Sequence, residues 1–387
     1  MHATGIICEY NPLHQGHKKQ LDLIRSRQGA DGSIVCLMSG NFVQRGHPAI
    51  LDKQVRAKAA IDCGADLVLE LPVTAALSSA EGFAAKGVEI LSRLCDSLCF
   101  GAETPNPEML MTTAQALLSD RFPPALREQL DKGLSFPTAR AAALAELGFD
   151  ATILEQPNNI LAIEYCKAIL SQNSPLVPMP ILRQGSYHDT APDPENPSAT
   201  AVRQLMLEGN GWLPFVPQPT VATGTLHSLC WGEKAMLYRL RTMTDAEFET
   251  LPYGSEGLWR KLMHACREQN TLEDILTATK SKRYTRTRLD RMVMCAFLGL
   301  TAEDMDAPIP YVRVLAFNDK GRELLNCVRQ QEFFFNVGQQ LPHPYQAIET
   351  RCGSLYGLFA EDCESPLRAE NERIYYAKPS KAMGDGT

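Results

Sequence analysis

The chain has 387 residues, 44% of them hydrophobic and 21% charged, with a formal net charge of −7 at pH 7. A chain of this length is typical of two domains, with ample apolar material for their cores. The negative net charge argues against a protein whose whole surface binds polyanions, so any contact with nucleic acid must come from a local basic patch.

The sequence shows no feature of an exported or membrane-bound protein. The first residues, MHATGII, lack the charged start and long apolar stretch of a secretory signal. No apolar run approaches the roughly 18 residues that cross a bilayer. The twelve cysteines are scattered through apolar stretches, a distribution typical of buried thiols in a reducing compartment. We therefore expect a cytoplasmic protein without a membrane partner.

Short apolar runs and amphipathic stretches alternate through the first hundred residues. Apolar spacing of three and four residues predicts three helices, beginning near Gly16, Leu51 and Ser79. The runs that predict strands are ATGIIC (3–8), SIVCLMSGNF (33–42), DLVLELP (66–72) and SLCFGAE (97–103). This alternation is typical of βαβ units and predicts the α/β class with a doubly wound parallel sheet.

The next hundred residues continue the pattern with more helix. Residues 105–150 look helical, a loop feeds a helix across 154–170, and PMPILRQG (178–185) predicts a fifth strand. The segment YHDTAPDPENPSAT is rich in Pro, Asp and Asn and is expected to be an exposed loop. A helix then restarts, with Ser198 or Thr200 as its N-cap.

Three prolines in WLPFVPQPT (212–220) mark the expected domain boundary. Beyond it the chain looks mostly helical, apart from a strand predicted for YVRVLAFND (311–319). The last residues, KPSKAMGDGT, are expected to be disordered. The predicted division is a sheet domain over 1–211, a mostly helical domain over 212–376 and a tail over 377–387.

The segment CEYNPLHQGHKKQ (8–20) lies between the first predicted strand and the first helix. Open α/β sheets bind ligands at the carboxyl edge, where this loop must lie. The helix after it directs free N–H groups and the positive end of its dipole toward the loop, which favours phosphate. His14 and His17 can then donate hydrogen bonds to phosphate oxygens, and Lys18 adds charge nearby.

Two alternatives for the histidine pair stay open: a metal site, or two incidental surface residues. The position after strand one favours phosphate, because Pro12 shapes the turn and Gly16 lets a ligand approach the backbone. The chain contains neither GxxxxGK[ST] nor HExxH. We predict His14, His17 and Lys18 as catalytic residues, and no metal ligand.

A basic segment, KSKRYTRTRLDR (280–291), contrasts with the negative net charge. It has six basic residues and one acidic residue. An apolar stripe that begins at Leu289 turns inward, so Arg291 is expected to point outward. The segment predicts a nucleic-acid contact, with a solvated helix face as the alternative. The predicted contact residues are Lys280, Lys282, Arg283, Tyr284 (as a stacking platform), Arg286, Arg288 and Arg291.

The histidine segment resembles the signature of the HIGH nucleotidyltransferases, which reads aromatic, Asp or Asn, Pro, x, Thr or His, x, Gly, His. More of the chain is similar to one member family, the bacterial tRNA(Met) cytidine acetate ligases. The similar segments are MSGNFVQRGHPAILDK, DLVLELP, CFGAE, QPNNILAIEY, SYHD, SATAVR and SKRYTRTRLDRM. The chain departs from the wider superfamily by carrying Asn11 where Asp is common and by lacking a clear KMSKS segment.

The resemblance implies a Rossmann-like nucleotidyltransferase domain followed by a mostly helical tRNA-binding domain. It implies an enzyme that uses ATP, with Mg²⁺, to activate acetate as acetyl-adenylate. The acetyl group then passes to N4 of the wobble cytidine of elongator tRNA(Met), giving N4-acetylcytidine. The expected partners are therefore ATP, acetate and that tRNA.

The resemblance also implies the residues that bind ATP. Those outside the loop are Gly101, Asn158, Arg183, Ser198, Thr200 and Arg203, with Asn159 an open alternative to Asn158. The loop residues are Ile7, Cys8, Glu9, Tyr10, Asn11, Pro12, Leu13, His14, Gln15, Gly16, His17 and Gln20. Structural alternatives stay open outside the loop: a turn glycine, a helix cap, a surface ion pair, or a solvated helix charge.

A second polar segment, GNFVQRGHPAILDK, follows the second strand near the same sheet edge. It contributes Asn41, Arg45, His47, Asp52 and Lys53. The resemblance makes an acetate or cytidine pocket plausible here, and a structural loop with a helix cap is the alternative.

Two competing functions remain. One is an adenylyltransferase of the pantetheine-phosphate or nicotinamide-mononucleotide type, which has a small-molecule acceptor. The other is a non-catalytic RNA-binding protein. The long C-terminal region argues against the first, because such enzymes need no basic helical extension.

Overall fold

A computed structural model describes residues 2–183, 197–218, 224–281, 283–336, 343–366 and 373–378. Lys282, most of the predicted loop after the fifth strand and the predicted disordered tail from residue 379 onward lie outside these residues. Among the helices of the described ranges, none is both long and apolar enough to cross a membrane.

The strands of the described chain confirm every strand predicted from the sequence. They are β1 (Ala3–Cys8), β2 (Ser33–Ser39), β3 (Phe42–Val43), β4 (His47–Pro48), β5 (Leu67–Leu71), β6 (Ser97–Ala102), β7 (Val177–Leu182), β8 (Val312–Phe317), β9 (Phe334–Asn336) and β10 (Tyr375–Tyr376).

Helices connect these strands and form most of the second half of the described chain. They are α1 (Gln15–Gln28), α2 (Lys53–Asp62), α3 (Val73–Ala76), α4 (Ala80–Leu91), α5 (Pro107–Leu118), α6 (Phe122–Asp131), α7 (Phe136–Glu146), α8 (Pro157–Ser171), α9 (Ala199–Leu207), α10 (Leu229–Thr242), α11 (Asp245–Glu249), α12 (Leu258–Glu268), α13 (Leu272–Thr279), α14 (Arg286–Leu298), α15 (Ala302–Asp306), α16 (Asp319–Cys327) and α17 (Pro344–Tyr356).

The main sheet has the strand order β10-β8-β5-β2-β1-β6-β7, and β9 pairs with β8. β1 runs parallel to both of its neighbours, β2 and β6. The chain order reverses at this point: it moves outward through β2 and β5, then returns to β6 and β7. This is the topological switch point at which open α/β sheets bind ligands, and the loop after β1 lies there. The predicted doubly wound α/β fold is confirmed.

The two faces of the sheet bury different helices. β2 is buried along its whole length, and its side chains alternate between two cores. Val35 and Leu37 belong to the core formed with α4, α5 and α8. Ile34 and Cys36 belong to the core formed with α1 and α2. Continuous burial on both faces explains why these strands read as unbroken apolar runs.

The C-terminal part is not wholly a separate helical unit. Helices α10 to α14 and α17 share a core that also includes Phe42, Val73 and Leu77 from the sheet side. β8 then returns to the main sheet and pairs antiparallel with β5, and β10 pairs with β8. The mostly helical domain over 212–376 stays a prediction, and β8 from that region occupies the sheet edge that β5 would otherwise expose.

β7 forms one edge of the sheet. The backbone N–H groups of Val177 and Arg183 both donate, at 2.9 Å, to carbonyls of the neighbouring segment 96–102. In a parallel ladder alternate residues face the same neighbour, so the even-numbered positions of β7 direct their N–H side outward. Two of those positions are Pro178 and Pro180, which have no N–H to offer.

A buried polar cluster joins the sheet to α17. Lys53 Nζ donates to Glu70 Oε1 at 2.8 Å, and both side chains are about 95% buried. Glu349 accepts a hydrogen bond from the backbone N–H of Val73 at 2.9 Å. Burial, and then the negative charge of Glu70, raises the pKa of Glu349 to about 7, although Arg313 opposes the shift.

From the titration of Glu349 in this cluster, we predict that the free energy of unfolding falls as pH rises. The pKa of Glu349 is higher in the folded state than the value of about 4.3 for an unfolded chain. Its contribution to stability is therefore complete below pH ~4 and is lost as pH rises through about 7. We expect Glu349→Gln, which stays neutral, to be more stable than wild type at pH 8 by about 1–3 kcal/mol and no more stable at pH 5. Urea unfolding at the two pH values measures this, with the exposed Glu323→Gln as control; parallel curves for the Glu349→Gln variant and wild type would contradict it.

Candidate active site

The loop after β1 turns sharply before α1 begins. Tyr10 has φ 45°, a region that residues other than glycine rarely adopt, and the Asn11–Pro12 peptide bond is cis. The Tyr10 ring is buried, and its hydroxyl lies 3.3 Å from Cys36 Sγ. Packing of the ring holds the Tyr10 backbone at this unusual φ, a feature that is common at functional sites.

Arg56 on α2 connects this loop to the end of β2. Its side chain is 1% exposed. Its guanidinium donates to the carbonyls of Leu51 (2.8 Å), Glu9 (2.5 Å), Ser39 (3.0 Å) and Gly40. Arg56 is absent from the residues singled out from the sequence. The available signal was its position within the buried stripe of α2, where a charge requires a specific set of partners.

His14 and His17 form a stacked pair at the start of α1. Their ring centroids are 3.7 Å apart, and the rings are inclined by 23°. Nδ1 of His17 accepts a hydrogen bond from the His14 backbone N–H at 3.3 Å, and the Tyr10 ring packs edge-on against His17. Neither ring nitrogen of His14 has a hydrogen-bond partner among the described residues, although the side chain is buried. Buried polar nitrogens usually have a hydrogen-bond partner, so these two are available to a bound ligand.

Both histidines are neutral at physiological pH. Burial, and then the positive charges of Arg183 and Arg203, lower the pKa of His14 to about 3. Burial, and then His14 and Arg183, lower the pKa of His17 well below its usual value. Each ring therefore has one N–H to donate and carries no charge. The positive charge around the pair comes from the two arginines and from the N-terminal end of α1.

Gly16 is required by the histidine pair. A Cβ atom at this position would lie 3.1 Å from Cε1 and 3.2 Å from Nδ1 of His14. These distances are shorter than ordinary contacts, so a side chain here would shift the imidazole by a few tenths of an ångström. The glycine of the motif thus keeps His14 in place.

Arg183, Asn158 and Glu103 line the β6–β7 side of the switch point. Arg183 Nη1 donates to Asn158 Oδ1 at 2.7 Å, and Asn158 Nδ2 donates to Glu103 Oε1 at 2.6 Å. Asn159 is buried, and both atoms of its amide bond to Thr104. Asn158, half-buried, is therefore the better placed of the two asparagines to meet a ligand. Glu103, which accepts from the first N–H groups of α8, was missed by sequence reasoning.

Gly101 lies at the end of β6 on the same side. Among the described residues, a Cβ atom there would meet only Arg183, at 3.6 Å, which is an ordinary contact. The described part of the fold does not itself require glycine at this position.

α9 closes the third side of the site. Ser198 is the N-cap of α9, one of the two roles considered for it from the sequence. Its hydroxyl accepts a hydrogen bond from the backbone N–H of Ala201 at 3.1 Å. Arg203 is not a solvated helix charge: Nη1 donates to the carbonyl of Asn11 at 2.8 Å, and Nη2 donates to Thr200 Oγ1 at 3.0 Å. The helix therefore directs a guanidinium onto the histidine loop.

Several predicted loop residues direct their side chains into the protein. Tyr10, Asn11 and Leu13 are each at most 4% exposed, and Cys8 belongs to the core with α1. Contact of these residues with a nucleotide would be through the backbone. Other side chains have partners within the protein: Gln15 with Val216, Gln20 with Cys99, Glu9 with Gln44, and Lys18 with Asp22; Ile7 packs against Gly87.

The basic segment is largely engaged in contacts within the protein. Arg286 binds both oxygens of Glu273, at 2.7 and 2.6 Å, and also Asp290 at 2.8 Å. Arg288 donates to the carbonyl of Tyr253 and stacks on Tyr284. Lys280 and Arg283 remain exposed, and Arg283 pairs with Glu256.

The expected outward orientation of Arg291 is wrong. The residue is 7% exposed, and its guanidinium lies 5.1 Å from the centre of the Tyr253 ring. α14 is covered on more than its apolar stripe, because the β3–β4 hairpin packs against it. An apolar stripe indicates one contact face of a helix and leaves others unmarked.

Some of the polar residues of segment 41–53 are bonded within the protein, and others are accessible to solvent. Asn41 accepts from the Lys53 backbone N–H, Asp52 caps α2, and Lys53 pairs with Glu70. Arg45 is exposed and His47 is half-buried. The two residues at the hairpin are therefore the ones that can contact a ligand. Across the described part of the chain, no cluster of three His, Cys, Asp or Glu residues is suited to a metal ion.

Comparison with known proteins identifies the family. Residues 1–370 match the family model described as HIGH Nucleotidyl Transferase. The tRNA(Met) cytidine acetate ligase of Clostridium novyi (strain NT) is 37% identical over 354 residues, which is 86% of this chain and 88% of that protein. The chain belongs to the tRNA(Met) cytidine acetate ligase family of HIGH nucleotidyltransferases. A second tRNA(Met) cytidine acetate ligase, from Anoxybacillus flavithermus, is 36% identical over 96% of this chain and 98% of its own length.

Solved structures of the family have the same fold. Apo Thermotoga maritima TmcAL superposes with a TM-score of 0.88 at 28% identity, covering 98% of this chain and all of that one. A second structure of that protein, bound with alpha-thio ATP, gives a TM-score of 0.86 over the same coverage. The expected family and fold are confirmed, and ATP binding is supported in a tRNA(Met) cytidine acetate ligase of this architecture.

Gly16→Ala tests the histidine pair. Because the added methyl group would displace the His14 ring, we expect ATP affinity to fall about tenfold or more, the loss of about 1.4 kcal/mol of binding energy. Alanine favours helix over glycine, so stability should not fall. Calorimetric titration with ATP measures the effect, and Ser26→Ala, an exposed position near the other end of α1, serves as control. Wild-type affinity in Gly16→Ala would show that the ring position is unimportant.

Proposed function

We propose that this protein uses ATP to activate acetate as acetyl-adenylate and transfers the acetyl group to N4 of the wobble cytidine of elongator tRNA(Met). The observation that supports this most is the stacked, neutral histidine pair at the switch point, in which neither His14 ring nitrogen has a partner among the described residues, in a member of the tRNA(Met) cytidine acetate ligase family. Cytoplasmic tRNA as substrate and twelve free thiols support a cytoplasmic location.

Activation needs stabilisation of the triphosphate. A carboxylate oxygen of acetate attacks the α-phosphorus of ATP, the bond to the bridging oxygen breaks, and pyrophosphate leaves. Negative charge grows on the phosphate oxygens, where neutral N–H donors from His14 and His17 stabilise it. Arg183 and Arg203 add charge at two sides of the same loop.

Mg²⁺ fits this proposal as an ion carried by the nucleotide. Mg²⁺ keeps several waters and commonly binds through phosphate oxygens with few protein ligands. Asn11, at the position where Asp is common, uses Oδ1 to accept from the Ile50 N–H, so the loop offers little direct coordination. When bound, the ion would neutralise charge on the phosphates.

The second step of the proposed reaction is transfer of the acetyl group to the cytidine of the tRNA. The exocyclic amine of cytidine is a weak nucleophile and acetate is a weak electrophile, so activation of acetate as an adenylate is the chemically reasonable order. Lys280 and Arg283 provide accessible positive charge for RNA, and the half-buried Tyr284 ring lies beside them with Arg288 over one face. A small-molecule adenylyltransferase would leave this C-terminal surface without a role.

A two-stage assay tests the proposed function. With ATP and acetate alone, we expect acetate-dependent exchange of labelled pyrophosphate into ATP. On addition of elongator tRNA(Met), we expect label from acetate to enter the tRNA with release of AMP. Transfer of adenylate to phosphopantetheine or nicotinamide mononucleotide would overturn the proposal in favour of the small-molecule enzyme. Absence of both activities would favour a non-catalytic RNA-binding protein.

The RNA surface can be tested separately. Lys280→Ala with Arg283→Ala should weaken tRNA binding about tenfold and reduce the slope of log affinity against log salt by about one to two. Arg267→Ala with Lys234→Ala removes equal charge from other helices and should leave the slope unchanged. Filter binding across salt concentrations measures both. An unchanged slope in the first variant, or loss of pyrophosphate exchange in it, would contradict the assignment.

A further inference from the structure

The β3–β4 hairpin connects the histidine loop to α14. Its register pairs Val43 with His47, which leaves Gln44, Arg45 and Gly46 as the turn. The Gln44 backbone N–H donates to Glu9 Oε1 at 3.0 Å, and the Gln44 carbonyl lies 3.5 Å from Arg291 Nη1. One turn residue therefore contacts both the loop of the first half of the chain and the helix that begins in the basic segment.

Gly46 holds the turn directly against α14. It has φ 79°, and a Cβ atom there would lie 2.5 Å from the Asp290 carbonyl carbon and 2.6 Å from the Arg291 nitrogen. The two backbones touch, so a side chain at this position is excluded on both conformational and steric grounds. His47, the next residue, is consequently fixed at the junction.

Charged groups from α14, from α9 and from the turn act on His47. Asp290 and Arg286 belong to α14, Arg203 belongs to α9, and Arg45 belongs to the turn itself. Arg203 also acts on His14 and donates to the Asn11 carbonyl, so the charge of one guanidinium acts on both histidines. The hairpin that carries His47 contacts the histidine loop through Gln44 and α14 through Gly46, which places His47 at the junction of the two.

His47 is suited to accept a proton. Burial lowers its pKa, and Arg203, Arg45 and Arg286 lower it further against the opposing charge of Asp290. The ring is therefore neutral near pH 7, with one nitrogen available as acceptor. Asp290 is bound to Arg286, and the pKa of His14 near 3 makes that ring a poor base.

We propose that His47 is the general base of acetyl transfer, accepting the proton that the cytidine N4 amine loses as it attacks the acetyl carbonyl. This inference rests on the proposed function. The N4–carbon bond forms, the bond between the acyl carbon and the adenylate oxygen breaks, and AMP leaves with that electron pair. The proton passes from N4 to the free ring nitrogen of His47 and then to water.

Measuring the two half-reactions separately distinguishes a role of His47 in acetyl transfer from a role in adenylate formation. Pyrophosphate exchange reports adenylate formation, and single-turnover transfer from preformed enzyme-bound acetyl-adenylate to tRNA reports the second step. We expect transfer to fall about a hundredfold in His47→Gln and His47→Ala, within the range for loss of a general base. Exchange should fall far less, which also shows that the variants fold. His264→Gln, an exposed histidine of α12, is the matched control.

The pH dependence of the transfer rate distinguishes a general base from a residue with a purely structural role, because loss of a structural residue would not change that dependence. Wild-type transfer should rise with pH to a plateau, with a midpoint below the usual histidine value of about 6.5. Both variants should lose this rise. Transfer at the wild-type rate with the same rise, or equal loss of exchange and transfer, would overturn the proposal. If wild type shows no acetate-dependent exchange or transfer, the proposed function fails and this inference fails with it.

Discussion

The geometry of the site depends on one buried cation. The guanidinium of Arg56 binds four backbone carbonyls, from the end of β1, the end of β2 and the approach to α2. Burial of this charge costs free energy, which the carbonyl hydrogen bonds offset. Lysine could not replace it, because a single ammonium cannot span carbonyls on three segments. The turn at Tyr10, the start of α1 and the hairpin after β2 all follow from segments that Arg56 holds together.

The site separates hydrogen-bond donation from charge. The histidines at the start of α1 are neutral because they are buried beside arginines, so they donate without attracting anions over distance. Arg183 and Arg203 carry the charge from other elements, at positions 25 and 192 residues from their partners Asn158 and Asn11. A nucleotide bound here would meet neutral donors and cations that hydrogen bonds within the protein hold in place. Such an arrangement stabilises charge as it develops, with little reorganisation at the moment of reaction.

Local patterns predicted the strands, most helices and the position of the histidine loop, because these depend on periodicity and on chain order. Long-range pairing left no comparable signal. The run at 312–317 reads as a strand, but nothing in it indicates an antiparallel place beside β5. Arg291 appeared exposed because the apolar stripe of its helix gives no sign of a hairpin from the other half of the chain. Arg203 could be named from the motif, whereas its bond to the Asn11 carbonyl depends on tertiary structure.

The proline-containing edge strand has a consequence for association between molecules. β7 ends beside the switch point, with Val177 and Leu182 more than half exposed. An apolar, straight strand edge normally invites pairing with a strand of another chain and leads to aggregates. Pro178 and Pro180 remove two of the outward donors that such pairing requires. The prolines thus keep the strand edge near the histidine loop from becoming a template for fibrils.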